Sequence, residues 1–419
     1  MSYVTRSIES KLRAYAGAFP CTLVSGARQV GKSTVLARIF GETHRNFVFD
    51  PVQDLYGVRE DPDLFLRNNP PPLILDEIQY VPELVPALKR AIDRDRTPGH
   101  YLITGSQHWE VMRKLSESLA GRVGILELSG YSLCEQMGQK EDWLHIWLEN
   151  VPDGLKSVLQ YLQGCQSAKL SPTRQIWRGG YPEVQTLDKQ VVPGWMQGYT
   201  TTYLQRDVRS MIEVRDESQF STFLSLCAAL TAQECNYNQL GREIDITPPT
   251  AKRWLGFLRG SYQWIEIPAF SDNQIKKLST RSKGYLSDTG LACYLLKISS
   301  DQAVQGHPAF GRLFETLVVT DVVKRLQSLP LIPQLYHYRQ HSGTEVDLLI
   351  KKDGKLFPIE IKASSRARPT DARGIQVLKE KVGSRVQPGL IIYAGTELLQ
   401  LNDQTLAIPY DLIFPSKGP

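Results

Sequence analysis

The sequence predicts an α/β protein: a parallel sheet with helices on both faces, then a helical middle, then a second α/β region. Three observations point there. Gly26-Ala27-Arg28-Gln29-Val30-Gly31-Lys32-Ser33 lies between an apolar run at 21–24 and a helical run from Thr34 to residue 40. Short apolar strands alternate with helical stretches between 21 and 128, the pattern of a parallel sheet with helices packed on it. From about residue 308 an amphipathic helix leads into strands that carry Asp347 and Glu360-Ile361-Lys362.

The first segment has the full spacing of a phosphate-binding P-loop in the strand–loop–helix context that the motif requires. Its glycines let backbone N–H groups wrap a phosphate, Lys32 can reach β/γ-phosphates, and the Ser33 hydroxyl can ligate Mg²⁺. The following helix, opening at Thr34, adds a favourable dipole. Strands are expected at 21–25, 46–50, 73–76, 101–104 and 123–128.

The strand Leu73-Ile74-Leu75 ends in Asp76-Glu77. A buried strand of this kind delivers Asp76 to the carboxyl edge of the sheet, where it can hold Mg²⁺ through water, and Glu77 is placed to act as general base on the attacking water. The strand Leu102-Ile103-Thr104-Gly105-Ser106 brings Thr104 and Ser106 to the same edge, to orient the lytic water or to cap a helix. In Ser118-Leu119-Ala120-Gly121-Arg122, Arg122 is either a surface arginine or a group that stabilises the transferring phosphate, in its own subunit or from a neighbour.

These motifs, with Leu75-Asp76-Glu77-Ile78-Gln79, Gly179-Gly180-Tyr181-Pro182 and the stretch at 203–207, resemble a large prokaryotic family of AAA-type ATPases that join a P-loop module to a C-terminal domain of unknown function. The resemblance runs through nearly the whole chain. It implies ATP binding and hydrolysis with Mg²⁺, in a homo-oligomer, and assigns no settled biological role.

Arg178-Gly179-Gly180-Tyr181-Pro182 must be a turn. Further on, a short helix at 238–244 is followed by a second that opens at Thr247-Pro248-Pro249, with Thr247 as N-cap. Ala251, Trp254, Leu255 and Leu258 form its inward stripe, and Lys252, Arg253 and Arg259 its polar side. With strands at 262–270 and 283–286 this reads as a winged helix, which either places a helix in a DNA groove or serves as a structural module.

At the end of the chain, Phe310, Leu313, Phe314, Leu317 and Val318 repeat at helical spacing around Glu315. In the hairpin that follows, strand alternation puts Glu360 and Lys362 on one face and lets Asp347 meet Glu360. Two carboxylates and the Ile361 carbonyl form a hard oxygen site for Mg²⁺ or Mn²⁺, with Lys362 able to steady developing charge. The simpler reading is a cross-strand Glu–Lys pair. The arrangement resembles the PD-(D/E)xK endonuclease superfamily, with Val346-Asp347 in place of the proline-aspartate, and that resemblance matches Glu315 to a helix carboxylate of the site. Basic residues at Lys351, Lys352, Lys355, Arg366, Arg368 and Arg373 can bind phosphates.

The expected organisation is an ATPase core at 1–128, a helical lid or linker at 129–216, a winged-helix-like region at 217–300 and a restriction-endonuclease-like α/β domain at 301–419. The length of 419 residues exceeds one ordinary core, and 42% hydrophobic with 22% charged residues is globular composition. A net charge of +5 permits a nucleic-acid partner, DNA first, without requiring one. Six cysteines (Cys21, Cys134, Cys165, Cys227, Cys235, Cys293) without a C-x-x-C pair read as reduced core residues. Residues 1–19 carry Arg6, Glu9, Lys11 and Arg13 and no apolar signal region, and no stretch is long enough to span a membrane, so a cytoplasmic protein with no membrane partner is expected. Function reads as an ATPase coupled to a nuclease-like domain that binds, and is a candidate to cut, nucleic acid. The alternative is a non-cleaving ATP-dependent switch or scaffold that binds DNA or a protein.

Overall fold

The computed structural model describes residues 3–105, 119–139, 143–149, 155–203, 217–271, 281–340 and 343–414. Contacts divide it into two compact units: residues 1–131 with 181–183 and 256–263, and residues 132–180, 184–255 and 264–419.

The first unit is built on five parallel strands, β1 (Cys21–Ser25), β2 (Arg45–Val48), β3 (Leu73–Asp76), β4 (Tyr101–Gly105) and β5 (Val123–Glu127), in the order β2-β3-β4-β1-β5. The chain leaves β1, crosses two strand positions and returns as β2 at the far edge, so the crevice beyond the carboxyl end of β1 is a topological switch point. Leu23, Leu73, Leu75, Tyr101 and Ile103 join the helices Pro62–Asn68 and Leu84–Arg94 in one core cluster. The alternate residues Thr22, Val24, Ile74, Leu102 and Thr104 are buried as well, so the sheet is covered on both faces. The Leu84–Arg94 helix sends Leu84, Val85, Leu88 and Ile92 inward at helical spacing, each such side chain contributing about 1.5–3 kcal/mol of burial. Strands β1 and β3 coincide with the expected ranges, and the others differ by a residue or two at their ends.

The second unit contains a six-stranded mixed sheet of β10 (Gln334–Arg339), β11 (Glu345–Lys352), β12 (Lys355–Lys362), β13 (Gly389–Tyr393), β14 (Leu399–Asn402) and β15 (Thr405–Pro409), ordered β10-β11-β12-β13-β15-β14. The helix Arg373–Val382 packs Ile375 and Leu378 into the sheet core with Tyr338, Leu349, Leu356 and Ile391. The long helix Phe310–Leu326 contacts β12 and buries Leu313, Phe314, Leu317 and Val318. Two smaller sheets complete the unit: β6 (Gln166–Ser167) with β16 (Leu412–Ile413), and β7 (Gln233–Glu234), β9 (Lys283–Leu286) and β8 (Trp264–Ile267) in that spatial order.

The expected turn at 178–182 is anchored by an acid. Helix Pro172–Arg178 ends at Gly179, whose φ is +68° and where a Cβ would lie 2.2 Å from Asp288 Oδ1. The Gly180 N–H donates to Asp288 Oδ2 at 2.7 Å, while Asp288 Oδ1 caps helix Thr289–Leu295 by accepting from the Leu291 N–H. The helix pair of the middle region forms as Tyr237–Glu243 and Pro248–Gly260, with the Thr250 N–H reaching Thr247 Oγ1 at 3.3 Å. Ala251, Trp254, Leu255 and Leu258 are buried and Lys252, Arg253 and Arg259 exposed, and β8 pairs antiparallel with β9. All six cysteines are buried free thiols. Among the described residues no helix is long and apolar enough to cross a membrane.

Candidate functional site

The P-loop follows β1 directly and closes on helix Lys32–Phe40. Gly26 has φ +145°, and a Cβ there would lie 2.0 Å from the Leu128 carbonyl oxygen, so only glycine allows this turn beside the end of β5. Gln29 (φ +59°) and Gly31 (φ +94°) also take left-handed conformations, which turn successive N–H groups to one side of the loop. Arg6 braces the loop from behind, donating from Nη1 to Val30 O at 2.8 Å and from Nη2 to Ser129 O at 2.6 Å. Arg28 reaches the Tyr80 hydroxyl at 2.8 Å. Lys32 folds back along the loop, its Nζ donating to Gly26 O at 3.0 Å and Ala27 O at 2.7 Å. Ser33 and Thr34 are exposed at the first turn of the helix, where free N–H groups and the helix dipole favour an anion.

Asp76 ends β3, buried, with β4 lying between it and β1. The Thr104 hydroxyl on β4 donates to Asp76 Oδ1 and accepts the Glu77 N–H at 3.0 Å. This changes the expected role of Thr104: its one proton is committed to Asp76 and the residue is fully buried, so it positions the acidic pair instead of orienting water. Glu77 sits at φ +60°, an uncommon conformation for a residue other than glycine, and its Oε2 accepts from Gln79 Nε2. Ser106 lies outside the described residues.

Arg122 is at the other edge of the sheet. It precedes β5, its carbonyl accepts the Cys21 N–H at the start of β1, and its Nε bonds Asp93 Oδ1 at 2.6 Å. The P-loop begins at the far end of the same strand, roughly 13 Å away at about 3.3 Å per residue. A role of Arg122 in its own P-loop is therefore corrected: strand direction puts the two at opposite ends of β1.

The C-terminal carboxylates converge in the second unit, all nearly buried. Hairpin pairing of β11 with β12 runs from Lys352↔Lys355 to Leu348↔Ile359, and beyond it the Ile361 N–H is taken by Asp347 Oδ2 at 2.9 Å. Glu360 and Lys362 share a face as expected, with Nζ 2.7 Å from Glu360 Oε1. Burial and the Asp347 charge push the Glu360 carboxyl well above the usual range, and the same two causes raise Glu315 to about 8. Between Glu315 and Asp347 stands a residue absent from the sequence-based site, Lys283 of β9. Its Nζ lies 2.5 Å from Glu315 Oε1 and 3.0 Å from Asp347 Oδ1. Tyr285, two residues along, donates to Glu315 Oε1 at 2.8 Å. Burial opposes the Lys283 charge, yet Asp347 and Glu315 hold it above the ordinary lysine range.

A divalent metal does not fit this arrangement as it stands. An ammonium is already bonded to two of the expected ligands, and among the described residues no group of three or more His, Cys, Asp or Glu side chains is placed to hold a metal ion. The expected metal set of Asp347, Glu360, Glu315 and the Ile361 carbonyl is corrected accordingly: Glu315 and Asp347 meet on Lys283, and Glu360 pairs with Lys362.

Three families match successive parts of the chain: an AAA domain at residues 18–137, a domain of unknown function (DUF8612) at 171–302 and another (DUF4143) at 310–413. Uncharacterised proteins of Mycobacterium tuberculosis and Mycobacterium bovis are each 28% identical over 410 residues, covering 97% of this chain and 84% of theirs. Similar solved structures include a Walker-type ATPase of Pyrococcus abyssi (17% identity, TM-score 0.40, 70% of this chain and 96% of that one). Another is the RuvB Holliday junction branch migration motor of Thermotoga maritima (17% identity, TM-score 0.29, 65% of this chain and 94% of that one). The N-terminal part of the chain has the fold of an AAA-type P-loop ATPase domain.

Proposed function

We propose that the protein is an ATP-hydrolysing switch that binds nucleic acid and, in the state described, does not cut it. The observation that carries the ATPase reading is the joint placement of Lys32, Asp76, Glu77 and Thr104 at one sheet edge beside a strained glycine loop. Lys32 exchanges its two carbonyl contacts for β- and γ-phosphate oxygens. Ser33 and Asp76 are the residues to hold Mg²⁺, which when bound neutralises phosphate charge. Glu77 takes the proton of the attacking water once Gln79 releases its carboxylate.

Exposed Lys252, Arg253 and Arg259 on one helix, and exposed Arg366, Arg368 and Arg373 after β12, support a phosphate-backbone partner. Lys362 and Glu360 are paired to each other, which supports binding without cutting. Purified protein should release phosphate from ATP and shift its DNA or RNA affinity between ATP and ADP, both effects lost in Lys32→Ala. Nucleic-acid affinity blind to the bound nucleotide sinks the switch. Mn²⁺-dependent cleavage by the wild-type protein, abolished by Asp347→Ala, sinks the non-cutting half.

A further inference from the structure

Arg6 stands 24 positions before Val30 and 123 before Ser129, outside the P-loop motif, yet its guanidinium joins the two. Nη1 donates to Val30 O and Nη2 to Ser129 O. An ideal Cβ on Gly31 would lie 3.7 Å from Nη1, so the guanidinium rests against the Val30–Gly31 peptide. It also lies over the Tyr131 ring, 4.8 Å from the centroid. Arg6 is 5% exposed, deep for so large a charged group.

The segment that carries Arg6 is itself held in place. Glu9 Oε1 accepts the Arg6 N–H at 2.7 Å and the Tyr3 hydroxyl at 2.8 Å. The Tyr3 ring in turn lies under the guanidinium of Arg38, 5.7 Å away, on the helix that follows the P-loop. A trans peptide points its C=O and its N–H in opposite directions. Holding Val30 O on the Arg6 side therefore turns the Gly31 N–H to the other side. Gly31, left-handed at φ +94°, opens the helix Lys32–Phe40, whose first N–H groups favour an anion. If this peptide were free to rotate, the loop would offer a carbonyl oxygen to phosphate where an N–H is needed.

We propose that Arg6 is a positioning residue of the nucleotide site: it fixes the Val30–Gly31 peptide so that the Gly31 N–H is aimed at phosphate before nucleotide arrives. Arg6 acts through the loop and touches no phosphate itself. This rests on the ATPase reading and adds to it a residue that no P-loop spacing contains.

The test is calorimetric binding of tripolyphosphate and of ATP, each with Mg²⁺, to the full chain, with Tm measured beside it. Loss of Arg6 takes the donor from two carbonyls, so Tm falls whatever its role. Affinity in the folded protein is the readout that a merely structural role does not move. Arg6→Ala should weaken both ligands about ten- to hundredfold, the worth of one charge-assisted hydrogen bond. Arg6→Lys keeps the charge without the fork and should still weaken both several-fold. In turnover, KM for ATP should rise while kcat stays within a few-fold of wild type. Wild-type affinity in folded Arg6→Ala overturns the proposal, and in Arg6→Lys it assigns the effect to charge and overturns the peptide's part. So does a fall in kcat at unchanged KM, or failure of both variants to fold with tripolyphosphate present. Wild-type protein that binds neither ligand overturns the ATPase reading itself, and the role of Arg6 with it.

Discussion

The two acidic sites of this protein each contain a buried lysine, and the partners of those lysines differ in kind. Lys32 donates to two backbone carbonyls of its own loop, Gly26 O and Ala27 O. Lys283 is bonded to two carboxylates from distant elements, Glu315 and Asp347. A carbonyl is a neutral acceptor that a phosphate oxygen easily replaces, since the charge-assisted bond is roughly twice as strong. A buried carboxylate pair is different, because removing one partner leaves an uncompensated charge. The first lysine is arranged for exchange and the second for retention.

The largest effect that sharpens this contrast is expected at the exchangeable site. Glu77→Gln keeps the shape and the Gln79 neighbour but removes the base, so ATP turnover should fall about 10²–10⁴-fold with nucleotide affinity retained. Phosphate release and nucleotide binding measured side by side check it. Turnover within a few-fold of wild type would move the base elsewhere.

Next is the retained lysine. Lys283→Ala should lower stability by about 3–5 kcal/mol, read as a fall in the urea midpoint, because Glu315 and Asp347 stay buried without their cation. Lys362→Ala should cost less, about 1–3 kcal/mol, since the Lys362 side chain is 34% exposed and Glu360 alone is left buried without its partner. Equal losses from the two variants would break the distinction between a buried counter-ion and a partly solvated pair.

Much of the first site could be read from the chain because its parts are contiguous. Gly26 to Thr34 carry their chemistry within one loop and one helical turn, and Asp76-Glu77 end a plainly apolar strand. The task of Thr104 was not legible, because it depends on β4 lying beside β3 and bringing its hydroxyl to Asp76, 28 positions away. Lys283 was hidden for the same reason and more strongly. Its partners lie 32 and 64 positions further on, and a four-residue strand says nothing about what its side chains meet. In the C-terminal unit Asp347, Glu360 and Lys362 were legible through hairpin alternation, whereas the cation between the acids was set by packing.

A smaller effect tests the loop that makes Lys32 exchangeable. Gly26→Ala places a Cβ against the Leu128 carbonyl at a φ of +145°, a strain of about 1–3 kcal/mol. Thermal stability should fall modestly and ATP affinity more, because the loop must turn to bury its carbonyls and present its N–H groups. Unchanged ATP affinity would mean that the glycine serves packing beside β5 alone.

The smallest effect within one chain is expected at Arg122, whose place at the amino edge of the sheet sets it apart from both lysines. It is paired with Asp93, whose carboxyl it holds below the usual range, and neither group touches the P-loop of the same chain. Arg122→Ala should therefore leave the turnover of dilute protein unchanged, and Asp93→Ala should do the same. A neighbouring copy is the one way for Arg122 to reach a phosphate, so its contribution must scale with assembly. Turnover per chain that rises with protein concentration in wild type and stays flat in Arg122→Ala would place Arg122 at a neighbour's nucleotide. A loss that is already full in dilute protein would contradict the strand geometry.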